Sequence, residues 1–151
     1  LVTQNVDDLH ERGGATEVVH MHGQLNRVFC AGCGAETGWT GDLSTGDSCA
    51  ACGQPGFMRP DIVWFGEMPY HMARIEAALE RADLFLSIGT SGMVYPAAGF
   101  VEIAGATGTH TVELNLEATG NPLFDLVRTG LAGELVPALV SELLSGEMPR
   151  N

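Results

Sequence analysis

Residues 83–115 read DLFLSIGTSGMVYPAAGFVEIAGATGTHTVELN. The first seven are a compact apolar run closed by Gly89, and the last seven are a strand-like run closed by Asn115. Between them, residues 95–106 have helical length, with Pro96 placed where a first helical turn accepts proline. Strand, helix and strand in that order form a βαβ crossover, which specifies neighbouring parallel strands.

The same alternation continues on both sides. Met72, Ile75, Ala78, Leu79 and Ala82 fall at helical spacing within residues 70–82, and Leu135, Leu139, Val140 and Leu143 do so within 134–144. Residues 1–3 read as a strand and 17–21 as a short apolar piece. The expected fold class is α/β, a partial Rossmann-like parallel sheet with helices. Ligands of such sheets bind beyond the carboxyl ends of the strands. Gln4 and Asn5, then Gly89, Thr90 and Ser91, then Asn115 hold those positions and are expected to line one edge. No repeat of solenoid type interrupts the pattern.

Between residues 27 and 59 the composition turns to Gly, Cys, Ser and Thr, too poor in apolar runs to build a core alone. Cys30, Cys33, Cys49 and Cys52 form Cys-x2-Cys-x15-Cys-x2-Cys, the spacing of two knuckles that complete a tetrahedron of thiolates. Glycines in and beside the knuckles leave the backbone room to turn its amides toward sulfur. With four sulfurs and no histidine in the set, the expected site is closed, structural and zinc-binding. Four reduced thiols or two disulfides are the alternatives, and the spacing favours metal. The expected division is thus a zinc ribbon at 27–59 inserted into a sheet domain made of 1–26 and 60–151.

The chain has 151 residues, 45% of them hydrophobic, enough for a real core. Nineteen acids against seven bases give a net charge of -12, and every base is Arg. That balance argues against nucleic-acid binding, the ribbon included, and favours a cationic partner such as a lysine-bearing segment. No apolar run reaches the ~20 residues that cross a bilayer, and no signal-peptide pattern is present. A soluble cytoplasmic protein, monomeric and without membrane contact, is expected.

Six stretches, TQNVDDLHERGG, HMHGQL, the paired Cys-x2-Cys ribbon, RPDIVWFGEMP, IGTSGMVYPAA and ELNLE, occur in the order and at the intervals found in sirtuins. The chain resembles that family, NAD-dependent protein lysine deacylases, over nearly its whole length, and the compact bacterial type most. Sirtuins open with a further strand, a Gly-Ala-Gly-x-Ser loop that cradles pyrophosphate, and a Pro-x-Phe-Arg element. These do not occur here, so the chain is expected to be the downstream part of a larger enzyme and to bind NAD weakly alone.

The resemblance implies transfer of an acyl group from lysine to ADP-ribose with release of nicotinamide, in the acyltransferase class. The acyl oxygen attacks the anomeric carbon, and a ribose hydroxyl deprotonated by a histidine then attacks the resulting imidate. His22 matches that base; of His10, His20, His71 and His110, His20 is its rival on position, lying on the same face if the segment is extended. Gln4 and Asn5 match ribose contacts, and Val6 and Asp7 the nicotinamide pocket. As a plain turn, the same cluster caps the following helix, with Asp8 in that role.

Gly89, Thr90 and Ser91 match positions that approach phosphate or ribose, although such a triplet is more often a simple strand-to-helix turn. Asn115 and Glu117 resemble adenosine-ribose contacts, and Ala132 an adenine contact before the last helix. Val63, Trp64, Phe65, Gly66 and Glu67 match the edge segment that pairs with an acyl-lysine peptide and lines its tunnel. A core strand with a partly buried Trp64 is the other reading. Asp61 stands where the resemblance leads one to expect a histidine in close bacterial relatives, a difference expected to alter the tunnel entrance. The competing functions are a non-catalytic NAD- or peptide-binding remnant braced by zinc, and protein ADP-ribosyl transfer.

Overall fold

The computed structural model describes residues 1–146, 148 and 149. The chain divides into two compact units, Leu1–Met72 and a second from Ala73 onward.

In the first unit, β1 (Val2–Thr3) and β2 (Val19–His20) pair in parallel, Val2 opposite Val19 and Thr3 opposite His20. The one-turn helix α1 (Leu9–Arg12) connects them. Asp7, not Asp8, caps its start: the Asp7 carboxylate accepts from the Leu9 amide at 3.1 Å, while Asp8 makes no side-chain cap bond. An Asx-type turn two residues back captures the orphan amide first.

The rest of this unit is an antiparallel sheet in the order β4-β3-β5, with β3 Gly23–Cys30, β4 Glu36–Gly38 and β5 Met58–Ile62. Pro60 lacks an amide proton and is tolerated because β5 is an edge strand. Both β3 and β5 run through the boundaries expected at 27 and 59: β3 ends on Cys30, and β5 begins after the Cys49–Cys52 knuckle, so no break in the strands marks either boundary.

The second unit is the βαβ array. After α2 (Met72–Leu79), with Ile75 and Leu79 buried, come β6 (Leu84–Ile88), a 3-10 turn (Ala97–Gly99), α3 (Phe100–Ala106), β7 (His110–Asn115), β8 (Leu126–Thr129) and α4 (Ala132–Leu144). The strands are parallel in the order β6-β7-β8. Thr111 to Leu114 of the central strand are all buried, as expected for a strand covered on both faces. Val112, Leu114, Leu126 and Leu139 form the core, flanked by Leu84, Leu86, Leu135, Val136 and Leu143.

Three details depart from the sequence reading. The helix expected over 95–106 is a 3-10 turn followed by an α-helix beginning at Phe100. Ala132 is the first residue of α4 instead of preceding it. β8 is an additional strand, reached from β7 without an intervening helix. The Thr111 hydroxyl donates to the Leu123 carbonyl at 2.8 Å, and the Thr111 amide donates to the Asp125 carboxylate at 2.8 Å, fixing the entry to β8.

Candidate functional site

The four cysteine sulfurs all lie within 4.8 Å of one another. Cys30 Sγ is 3.8 Å from Cys52 Sγ, and Cys33 Sγ is 3.7 Å from Cys49 Sγ. Sulfurs each 2.3 Å from a central zinc at tetrahedral angles stand about 3.8 Å apart, so the set fits zinc and is too open for disulfides. The knuckle backbone prepares the charge: amides of Cys52 and Ala51 draw the Cys49 thiol down to about 7. Cys33 also receives an amide, from Ala35, yet desolvation and the other three thiols push it up to about 12. Four neighbouring thiols cannot all ionise unaided, and a dication resolves that conflict. Cys30 and Cys49 are buried, Cys33 and Cys52 exposed. No open ligand position is left for catalysis, so the centre is structural.

The histidines of the HMHG stretch separate sharply. β2 ends at His20, and the backbone turns before β3 begins at Gly23, so His20 and His22 do not share an extended face. Gly23 makes that turn possible. Its φ is +85°, and a Cβ there would lie 1.9 Å from the Asp61 carbonyl oxygen. His20 is buried, with Nε2 2.7 Å from Glu11 Oε1 and Nδ1 3.4 Å from the Asn5 carbonyl oxygen. That contact holds the Glu11 carboxyl below its ordinary value. His22 is half-buried, and its Nδ1 donates to the Gln4 carbonyl at 3.2 Å. A carbonyl only accepts, so this bond puts the proton on Nδ1 and the lone pair on Nε2, which has no partner among the described residues.

The first unit thus brings together three stretches singled out in the sequence. Gln4 meets the His22 ring, and the Val63 amide donates to the His22 carbonyl at 2.9 Å. The Asn5 amide is held by Thr3 Oγ1, and the Val6 carbonyl accepts from Leu25 at 2.8 Å. Beyond Val63 the chain leaves the strand. Residues 63–67 form a turn after β5, with Trp64 56% and Phe65 104% exposed. A buried core strand is thereby replaced by a turn presenting aromatic side chains to solvent. Asp61, in contrast, is buried, accepts from Tyr70 Oη at 3.0 Å and lies 3.4 Å from Arg27 Nε.

In the second unit, the loops after β6 and β7 are joined. Asn115 Nδ2 donates to the Thr90 carbonyl at 2.7 Å, and Gly89 turns with φ +64°. Ser91 Oγ accepts from the Met93 amide at 3.3 Å. Glu117 and Ala132 are exposed. Sequence reasoning missed Glu113, which is 1% exposed. Its carboxylate accepts from the Thr119 amide and hydroxyl, both at 2.8 Å, and from Asn115 Nδ2 at 3.4 Å. Its place in an apolar alternation hid a polar hub behind Asn115.

The model of the Sir2 family matches residues 1–96. The NAD-dependent protein deacylase of Vibrio vulnificus strain YJ016 is 53% identical over 146 residues, covering 96% of this chain and 60% of that protein. The NAD-dependent protein deacylase of Escherichia coli K12 is 53% identical over 148 residues, covering 97% and 53%. The chain therefore spans little more than half the length of these curated relatives. Among solved structures, a Sir2 homologue in complex with ADP-ribose superposes with TM-score 0.87 at 37% identity, covering 99% of this chain and 62% of that one. A Sir2 protein bound to a myristoylated histone peptide gives 0.78 at 30%, covering 97% and 66%. With the cysteine tetrad, the parallel array and the HMHG turn all in their places, this agreement in sequence and fold makes the chain a member of the Sir2 family.

Proposed function

We propose that the protein carrying this chain is an NAD-dependent protein lysine deacylase, with His22 as its general base. The observation that carries this reading is the setting of His22: its Nδ1 is committed to Gln4, its Nε2 is unpartnered among the described residues, and its carbonyl holds Val63. A base must present a lone pair in one fixed direction, and the Gln4 bond fixes both tautomer and ring plane.

When bound, NAD supplies the ADP-ribosyl group that takes the acyl oxygen. His22 Nε2 accepts the proton of a ribose hydroxyl. Gln4 and Asn5 contact the ribose, and Val6 and Asp7 shape the nicotinamide pocket. Gly89, Thr90, Ser91, Asn115, Glu117 and Ala132 contact the phosphate and adenosine side. Residues 63–67 receive the acyl-lysine peptide through main-chain bonds, which lets many sequences bind. Support for these roles is the match to the family motifs together with the Gln4–His22–Val63 and Thr90–Asn115 contacts.

Cys30, Cys33, Cys49 and Cys52 would hold one zinc, which supplies stability and takes no part in the chemistry. Thiols kept as metal ligands support a reducing compartment, the cytoplasm. No helix among the described residues is long and apolar enough to cross a membrane.

The test is nicotinamide release with and without an acetyl-lysine peptide. Release that requires the peptide, with the acyl group recovered on ADP-ribose, is the expected result. Equal NAD consumption without acyl-lysine overturns the proposal.

A further inference from the structure

Beyond the half-buried Val63 the large apolar side chains of segment 63–67 are exposed, Trp64 at 56% and Phe65 fully, with Met68 just beyond at 77% and Gly66 at φ +90°. Hydrophobic burial therefore does little to hold this turn. Its side-chain hydrogen bonds converge on one side chain and that side chain's partner, beside a single main-chain bond inside the turn, from the Glu67 amide to the Trp64 carbonyl at 2.9 Å. Arg59 Nη1 donates to Glu67 Oε1 at 2.7 Å and Nη2 to Glu67 Oε2 at 3.0 Å, a bidentate fork. Nη2 also donates to the Ile62 carbonyl at 3.1 Å. Glu67 Oε2 in turn accepts from the Trp64 amide at 2.9 Å, closing the turn on itself. One guanidinium thus grips the residue before the turn and the residue that ends it.

The guanidinium is also stacked. Its carbon lies 4.4 Å from the centre of the Trp64 ring and 5.0 Å from that of Phe29. Nε is buried without a hydrogen-bond partner among the described residues, and the guanidinium it belongs to meets the two aromatic faces instead. Phe29 is the register partner of Arg59 across β3 and β5, and the next pair is Cys30 with Met58. The stack therefore runs from the strand that bears a metal ligand to the exposed turn.

We propose that Arg59 is the positioning residue for the peptide-binding segment 63–67, holding it in its binding shape through Glu67, Ile62 and the Trp64 ring. The inference rests on the reading of that segment as the acyl-peptide site. A preformed turn spares the peptide the cost of ordering it, so losing the clamp acts on peptide binding. The Val63–His22 bond lies at the other end of the segment and is untouched, so the chemical step is spared.

The experiment uses Arg59→Gln, Arg59→Lys and Glu67→Gln in the protein carrying this chain. Steady-state kinetics with an acetyl-lysine peptide and zinc content are measured for each. Acrylamide quenching is measured in a Trp39→Phe background, which leaves Trp64 as the one tryptophan of this chain's two. For both Arg59→Gln and Glu67→Gln, KM for peptide is expected to rise about tenfold, with kcat within about threefold, KM for NAD unchanged and zinc retained. Trp64 is expected to become more quenchable. Lysine is expected not to rescue, because an ammonium cannot supply the planar fork. An unchanged peptide KM or unchanged quenching overturns the inference, as does rescue by lysine or loss of zinc together with kcat. Acyl-independent NAD consumption by the unaltered protein overturns the deacylase reading, and this inference with it.

Discussion

His22 Nδ1 stands 3.2 Å from the Gln4 carbonyl oxygen, whereas His20, two residues earlier, has both ring nitrogens facing oxygen acceptors. The two imidazoles are thus set up for different work. His22→Ala is expected to lower acyl-dependent nicotinamide release by about 10²- to 10⁴-fold, the usual contribution of a general base, without lowering the thermal midpoint. His20→Ala empties a buried site and strands Asn5, and is expected to lower the midpoint first. Comparing kcat with melting temperature for both variants checks this; equal loss of activity at equal stability would remove the distinction.

Zinc removal is expected to unfold the knuckles from the inside. The sulfur separations of 3.7 and 3.8 Å match ligands around one ion, and without it the crowded thiols lose their only common partner. Chelation, or Cys30→Ser, is expected to release one zinc per chain, lower the melting midpoint and increase hydrogen exchange in β3 and β5. Metal analysis alongside melting checks it. Full stability in the metal-free protein would contradict a structural centre.

The cysteines could be read directly from the sequence because a Cys-x2-Cys knuckle is local: spacing alone brings its sulfurs within reach. The βαβ array was legible for the same reason, since the apolar runs at 84–88 and 110–115 announce strands, although only the second is buried and the first is half-buried, with Ile88 exposed. β8 escaped because Leu126–Thr129 is four residues long and contains Arg128, and it becomes a strand only through pairing with Val112 to Asn115. The His20 and His22 assignment needed a backbone turn that alternation cannot reveal. Arg59 and Glu67 are eight residues apart, a separation with no periodic meaning, and only the turn between them makes them partners. Likewise Asp7 rather than Asp8 caps α1, a choice between neighbours that composition cannot make.

Gly23→Ala is expected to be among the most damaging small substitutions in the first unit. The added Cβ would meet the Asp61 carbonyl oxygen at 1.9 Å, a backbone atom that cannot swing away, and the φ of +85° is itself unfavourable for alanine. A cost of roughly 3 kcal/mol or more follows. Gly34→Ala, with nothing within 4 Å of its added Cβ and φ +75°, carries only the conformational part and should cost less. Chemical denaturation of the two variants ranks them.

The remaining expectation concerns acid. Arg128 Nη1 and Nη2 donate to Glu142 Oε1 and Oε2 at 2.8 and 2.9 Å, a fork tying β8 to α4. This bonding holds the Glu142 carboxyl below its ordinary value. A carboxyl whose folded value is depressed stabilises the fold fully above its unfolded value, about 4.3, and stops doing so as pH falls through the folded value. Glu142→Gln should therefore melt below the unaltered protein at neutral pH, and the gap should narrow below about pH 4 and close in stronger acid. Because both side chains are about a quarter to a third exposed, at 23% and 33%, the gap should also shrink with added salt. A gap that stays constant from neutral pH into strong acid would mean that Glu142 stabilises α4 through packing or hydrogen bonding indifferent to its charge, not through the ion pair.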